Sequence, residues 1–522
     1  MKKGYIGTPK NTTIKTKSKQ ITFFATVLLT IGSTIGAGIF IKNSSILGNV
    51  HNSLLLAISC WVITGIACLM MGLALVEVCS AKGLDQSLGI VGWVKKYTNE
   101  YLYKAFRNFY GFLYLPFLIC AIAFFSIQFL AEGLNWNIPW WTAVLLVFAI
   151  VTWFTFTSAV SSRSGDLQNK VFVLFKFFPI VIAAVIGFVY VGMHHGSMTP
   201  LNPHGDSGST PLLDKINPAV GVIASIPAIL FAYNGFFNPA SEIDNMKKPQ
   251  SAGSALGLGI AIITFIYIII ALSLMLFSNS GKLDQDNGNA WGGIKGLNIF
   301  IEVIQVIIAV TILSCINGTF MTFGKYYQGL IARDEAVFSK KIKAKFNNES
   351  SKTLVGATYG YVLMMAVLLF VTIVGLFFVN NLSSNSPIAT AKAQGIFSFS
   401  DLMSNWCALF IFLGIAASII GMILNRKTKK IDNTKAKGAI VGGWVAVIVI
   451  GISVLYTLVS VFYNIALVVY YKVDGDYASN SDFTTNIVTV VLTLVTLIFF
   501  AFVMFGLPLI KTKIDNKKKK VH

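Results

Sequence analysis

Charged residues are scarce in this chain. Only 12% of its 522 positions are Asp, Glu, Lys or Arg, against about 25% in an ordinary soluble protein. With 55% hydrophobic residues and a mean hydropathy of +0.72, that scarcity excludes a soluble globular fold. Cysteine is thin as well. Cys60, Cys68, Cys79, Cys120, Cys315 and Cys407 are scattered through apolar runs without metal-ligand spacing, so neither a disulfide framework nor a zinc site is implied. Each reads as a small buried hydrophobe. Arginine is rarer still, with Arg107, Arg163, Arg333 and Arg426 against a large excess of lysine, an association with AT-rich bacterial genomes.

What the chain has instead is length of apolar run. Segments of roughly 20 residues, enough to cross ~30 Å of hydrocarbon, recur throughout. Twelve spans are expected, at 22–48, 53–80, 108–131, 138–158, 168–192, 218–239, 253–278, 297–322, 354–379, 401–424, 438–464 and 487–510. The fold class is therefore an all-α polytopic membrane protein. An even count puts both termini on one side. With the N-terminus inside, 35 of the 41 Lys and Arg fall in inner segments, and the outer ones hold one each: Lys42, Lys215, Lys282, Lys295, Lys392 and Lys472. This alternation follows the positive-inside rule. The net charge of +20 thus orients the chain in a cell membrane and reads no nucleic acid. Residues 1–20 are expected as an uncleaved cytoplasmic tail, since no small-residue cleavage site follows a short apolar core. The basic segment 511–522 is expected to lie against anionic lipid. Trp136, Trp140 and Trp141 fit an outer aromatic belt.

Two spans are interrupted. Ile31 to Phe40 reads I-G-S-T-I-G-A-G-I-F, with Gly32, Gly36 and Gly38 inside an apolar run. Glycine weakens a helix by about 1 kcal/mol relative to alanine, and in hydrocarbon any freed backbone group must find another partner. Phe231 to Glu242 reads F-A-Y-N-G-F-F-N-P-A-S-E, placing the turn-type pairs Asn234-Gly235 and Asn238-Pro239 inside the sixth span. Gly32-x-x-x-Gly36 alone also fits close helix packing. Matching interruptions five spans apart point further, to a transporter of two inverted repeats with its site at the midplane. A nucleotide loop is excluded, because no lysine follows the glycines and no strand precedes them.

These residues resemble the amino acid permeases of the amino acid–polyamine–organocation superfamily. The first-span motif G-S/A-x-I-G-x-G-I-F is matched by Gly32 to Phe40. The sixth-span pattern is matched by Phe231-Ala232-Tyr233-Asn234-Gly235-Phe236, then Glu242 and Lys247-Lys248-Pro249. Ala332-Arg333-Asp334 matches the loop after span eight, but Glu335-Ala336-Val337-Phe338 departs from the family's G-x-L-P. Glu77 fits the family's acidic position near the end of span two; the glycine-proline stretch after it is replaced by Lys82-Gly83-Leu84-Asp85-Gln86.

The resemblance implies a LeuT-like core at 21–430, with 5+5 inverted repeats over about 21–192 and 218–424 and two further helices in 431–510. It implies that an amino acid's carboxylate meets backbone amides at Ser33, Thr34, Gly36, Ala37 and Gly38. Free amides at a half-helix N-terminus form an anion site on physical grounds alone. The ammonium is expected at carbonyls of Ile31, Phe231, Ala232 and Asn234, beside Gly235, with Phe231 as an aromatic lid or, alternatively, simple packing.

Lys176 lies eight residues into span five, roughly 12 Å along it at ~1.5 Å per residue. A charge at a span's centre costs on the order of 3 kcal/mol. Proton-coupled relatives resemble this chain in carrying a lysine there, so Lys176 is expected either to couple proton movement to uptake or to snorkel to the inner interface. Glu302, one turn from Gln305 in the outer half of span eight, is expected to contact a substrate side chain, a basic one by charge, or to pair with a neighbouring helix. Glu77 and Glu242 are expected as gating residues, with Glu242 and Asp244 alternatively a solvated cluster beside Lys247 and Lys248.

The expected function is secondary active transport of amino acids by alternating access, proton-coupled and accepting cationic side chains, with amino acid exchange as the alternative. No cofactor is expected; monomer and homodimer stay open. A membrane enzyme would need a gathered catalytic set. His194, His195, His204 and Asp206 do cluster after span five, but in a glycine- and proline-rich loop that reads as solvated. A channel would need a repeated filter segment, which the sequence does not present.

Overall fold

The computed structural model describes residues 22–510, apart from 37, 86–87, 161, 194–217, 239–245, 248–250, 279, 284–294, 337–338, 340–341, 343–348, 379–386 and 475–479. Among the described residues the secondary structure is almost wholly helical. The helices are α1 (Phe23–Thr34), α2 (Gly38–Asn49), α3 (Leu54–Cys79), α4 (Ile90–Tyr97), α5 (Glu100–Asn108), α6 (Leu115–Gly133), α7 (Trp140–Val160) and α8 (Ser162–Met193). They continue as α9 (Pro218–Ala232), α10 (Ala252–Phe277), α11 (Lys295–Ala332), α12 (Glu349–Phe377), α13 (Ile388–Thr428), α14 (Ala439–Asp474) and α15 (Asn480–Ala501).

Among the described residues, ten helices are long and apolar enough to cross a membrane, and α1 with α2 makes an eleventh crossing if the bent pair is one span. The short apolar helix ending at Ala232 occupies the sixth expected span. Each expected span thus falls on a helix, on the bent pair or on α9. The outward face is strongly apolar: Phe24, Leu55, Phe265 and Val441 are more than 60% exposed. Such side chains suit hydrocarbon, where exposure carries no hydration penalty.

Polar groups turn inward. Along α6 nearly every residue is buried, so the third span runs through the centre, packed on α11 and α13. It is preceded by a π-helical turn over Phe109–Tyr114. Pro116 follows at the start of α6; with no N–H to give, it cannot continue the regular ladder into that turn. The wider turn leaves Gly111 O to accept from Tyr327 Oη at 2.6 Å.

Lys42 requires a correction. Taken from sequence as an outer-segment charge, it is fully buried, one turn into α2. The half-helix runs on to Asn49 before the chain turns, so Lys42 stays within the helical bundle. Glu242, Asp244, Pro239 and the His194–His195–His204 loop lie outside the described residues, as does Ala37.

Candidate functional site

The two interruptions meet. The helix α1 stops at Thr34, Ile35 is extended, and α2 resumes at Gly38 after a 57° bend. The helix α9 stops at Ala232, two residues before the expected Asn234, and turns through Tyr233–Phe237 with Gly235 at φ +110°. That backbone conformation favours glycine. The approach is close: a Cβ on Gly38 would stand 2.4 Å from Ala232 Cα, and one on Gly235 would stand 2.4 Å from Ser33 O. The first and third motif glycines therefore differ in kind, since a Cβ on Gly32 meets nothing within 4 Å.

Helix ends leave carbonyls without intrahelical partners, and here several can be followed. Ile31 O accepts from Ile35 N at 2.9 Å. Gly32 O accepts from Lys176 Nζ at 2.7 Å. Thr34 O and Ala232 O both face Tyr267 Oη, at 3.2 and 2.9 Å. One phenol thus spans the two breaks. Phe231 O accepts from Asn234 N at 3.1 Å. Ser33 Oγ lies 3.1 Å from Gly235 O and 3.2 Å from Thr30 O. Asn234 is tied to the π-helical turn, its amide within 2.9–3.0 Å of Tyr114 Oη.

The expected amide set narrows on this geometry. Ser33 and Thr34 lie inside α1, where each N–H serves the carbonyl four residues back. Gly36 and the first turn of α2 from Gly38 carry the amides whose helix partners are missing. Gly36 sits against span eight, where a Cβ would come within 2.7 Å of Cys315 Sγ. The arrangement juxtaposes the amide end of one half-helix with the carbonyl ends of two others. Such a junction can hold an anionic group and an ammonium a few ångströms apart.

Lys176 is buried and bonded to the break, not snorkelling to the interface. Phe231 is buried at the end of α9, with its ring 6.0 Å from that of Phe125. Its other neighbour is one sequence reasoning missed: Lys42 Nζ, 4.7 Å from the ring centroid. Lys42 pairs with Asp401 and donates to Ser404 Oγ at 2.7 Å. A lysine one turn beyond a glycine break, in register with the inner face of α2, was the available signal.

Glu302 stands elsewhere. Its carboxylate accepts from Asn135 Nδ2 at 2.9 Å, in the turn between α6 and α7. Gln305 is buried and donates to Leu283 O at 2.7 Å. Glu77 is fully buried near the C-terminal end of α3, taking Arg426 Nε at 2.7 Å, Arg426 Nη2, and Ala436 N at 3.0 Å. It clamps α13 and the loop before α14 to α3. A second cluster lies where the sequence departs from the motif after span eight: Glu335 accepts from Tyr103 Oη at 2.7 Å and lies near Arg107 (3.5 Å) and Arg333 (3.4 Å). Arg333 also pairs with Asp85 at 3.4 Å.

Comparison with known proteins places this geometry in context. A family model described as amino acid permease matches residues 21–473. An uncharacterized protein of Mycoplasma pneumoniae is 32% identical over 97% of this chain and 96% of its own length. The serine/threonine exchanger SteT of Bacillus subtilis is 24% identical over 62% of this chain and 70% of its own. Among solved structures, a manganese transporter of Eremococcus coleocola superposes with a TM-score of 0.52 over 98% of both chains, at 14% identity. That last likeness concerns the fold alone, a LeuT-like arrangement.

Proposed function

The chain belongs to the amino acid permease family, and from that premise we propose that it moves amino acids across the cell membrane by alternating access. The observation that carries the reading is the meeting of two broken spans, with Gly38 against Ala232 and Tyr267 bridging Thr34 O and Ala232 O. The substrate carboxylate sits at the amides of Gly36 to Gly38, and the ammonium at the carbonyl ends around Ile31, Phe231 and Ala232. Substrate binding energy then offsets the cost of leaving the amides at the start of α2 without helical partners in hydrocarbon. Both termini face the cytoplasm, as the lysine distribution supports.

Lys176 is the proton-coupling group in this reading. Its ammonium holds Gly32 O, the carbonyl immediately before the segment that would bind substrate. Loss of the proton weakens a charge-assisted bond to that carbonyl, so protonation and the shape of the break are linked. Exchange of internal for external amino acid is the second reading, supported by the likeness to a serine/threonine exchanger. The Glu302 carboxylate is engaged by Asn135 and plays no part in this reading.

Reconstitution into liposomes tests both. Labelled amino acids are offered with and without an inward pH gradient, and with and without internal substrate. Accumulation driven by the gradient supports symport; uptake that requires internal substrate supports exchange. No uptake of any amino acid under either condition sinks the transport reading.

A further inference from the structure

The Lys42 ammonium occupies a complete cage. Its contacts are Asp401 Oδ1, Ser404 Oγ at 2.7 Å and Asp401 O at 3.4 Å. Three acceptors meet the three N–H bonds of an ammonium. Ser404 Oγ in turn donates to Asp401 O at 2.7 Å, which aims its lone pairs at the lysine. Two aromatic faces close the cage, Phe231 at 4.7 Å and Phe125 at 5.4 Å from Nζ, an arrangement that attracts cations through the ring quadrupole. Lys42 is 0% exposed, whereas the Asp401 side chain is 27% exposed. These contacts come from two separate spans, α6 and α13, and from the end of α9, which makes the cage a built site for a cation.

The cage shares the Phe231 ring with the junction of the two breaks. A substrate whose side chain ended in an ammonium or guanidinium would seek these same features, a carboxylate flanked by aromatic faces. They are already filled by a cation tethered to the chain. A second positive charge brought to Phe231 meets like charge in surroundings that screen it poorly. A neutral side chain meets only ring surface.

We propose that Lys42 is a specificity-determining residue, a tethered cation that fills the Asp401–Ser404–Phe231–Phe125 cage and turns away amino acids with cationic side chains. The site then passes neutral ones. This rests on the transport reading above and names the substrate class of the same site.

The test is uptake by the full chain in liposomes, with labelled serine, leucine and lysine. Wild type takes up a neutral amino acid, and a 100-fold excess of lysine does not compete. Lys42→Ala empties the cage, so lysine uptake rises at least 10-fold over wild type, and adding Asp401→Asn to that variant abolishes the gain. Should Lys42→Ala fail to fold, Lys42→Gln, which keeps a donor toward Asp401 without the charge, is expected to raise relative lysine uptake several-fold. Lysine transport by wild type at rates comparable to serine or leucine overturns the inference and leaves the transport reading intact. Neutral uptake in Lys42→Ala without any gain for lysine also overturns it, reducing Lys42–Asp401 to a packing pair. No uptake of any amino acid by wild type removes both.

Discussion

Lys176 Nζ donates to Gly32 O across 2.7 Å, joining the fifth span to the last turn of α1. A carbonyl at a helix end has lost its intrahelical donor, so the lysine supplies the missing one from another element. Replacing Lys176 with Met keeps the length and apolar volume and removes both charge and donor. The expected outcome is loss of pH-gradient-driven accumulation, with folded protein still recovered as a single species in detergent. The measurement is uptake against a gradient in liposomes acidified outside. Undiminished accumulation would show that the proton is carried elsewhere.

The glycines of the first break should divide sharply. A Cβ on Gly38 meets backbone and Cβ of Ala232 at 2.4 and 2.8 Å, and backbone cannot swing aside as a side chain can. Gly38→Ala should force α2 and α9 apart, at a cost of about 1–3 kcal/mol typical of overpacking, and abolish transport. Gly32→Ala has open space before it and lies within α1. There alanine should be neutral or should stabilise by up to about 1 kcal/mol. Thermal unfolding of the two variants in the same detergent separates them; equal shifts would refute the distinction.

The contrast bears on what the sequence could disclose. Spans and breaks were legible because their causes are local: a run of apolar residues, or glycine and Asn-Gly pairs within one. Gly38's need for glycine was visible as a motif, though its reason, Ala232, lies 194 positions away in the chain. Lys42 was misread because its place depends on a partner in the tenth span, Asp401, at the edge of the window where that span was expected to begin. Glu302 falls near the start of α11, as the span boundaries implied, but no local signal pointed to Asn135. Glu335 looked like a lapse from a family motif; Tyr103 and Arg107 give it a purpose that only the folded chain reveals.

Tyr267 should matter more for its hydroxyl than for its ring. The ring is fully buried, 5.4 Å from Trp61 and 5.3 Å from Tyr233 by centroid, and phenylalanine would keep that packing. Tyr267→Phe removes the donor facing Thr34 O and Ala232 O. An acceptor left buried without a partner costs about 1–3 kcal/mol. The variant should unfold at lower temperature and show a raised KM, because the carbonyl ends that would receive the substrate ammonium lose their alignment. A KM equal to wild type would place Tyr267 outside the substrate's reach and leave it a purely structural bridge.

Glu77 offers the clearest energetic test. Its carboxylate takes two N–H groups of Arg426 and the amide of Ala436. Glu77→Gln removes the charge while Arg426, 23% exposed, stays in place. Removing one partner of a buried pair typically costs 3–5 kcal/mol, and partial solvation of Arg426 puts the expectation near the lower bound, about 3 kcal/mol. Arg426→Gln should cost a similar amount, and the double variant clearly less than the two singles together, since neither then strands a charge. A double-variant cycle read by thermal unfolding measures this coupling. If the two losses simply add, Glu77 and Arg426 act independently and the clamp between α3 and α13 is not ionic. If they couple while transport in the double variant persists, Glu77 serves stability; if transport fails in a well-folded double variant, the pair also serves the opening of the inner gate.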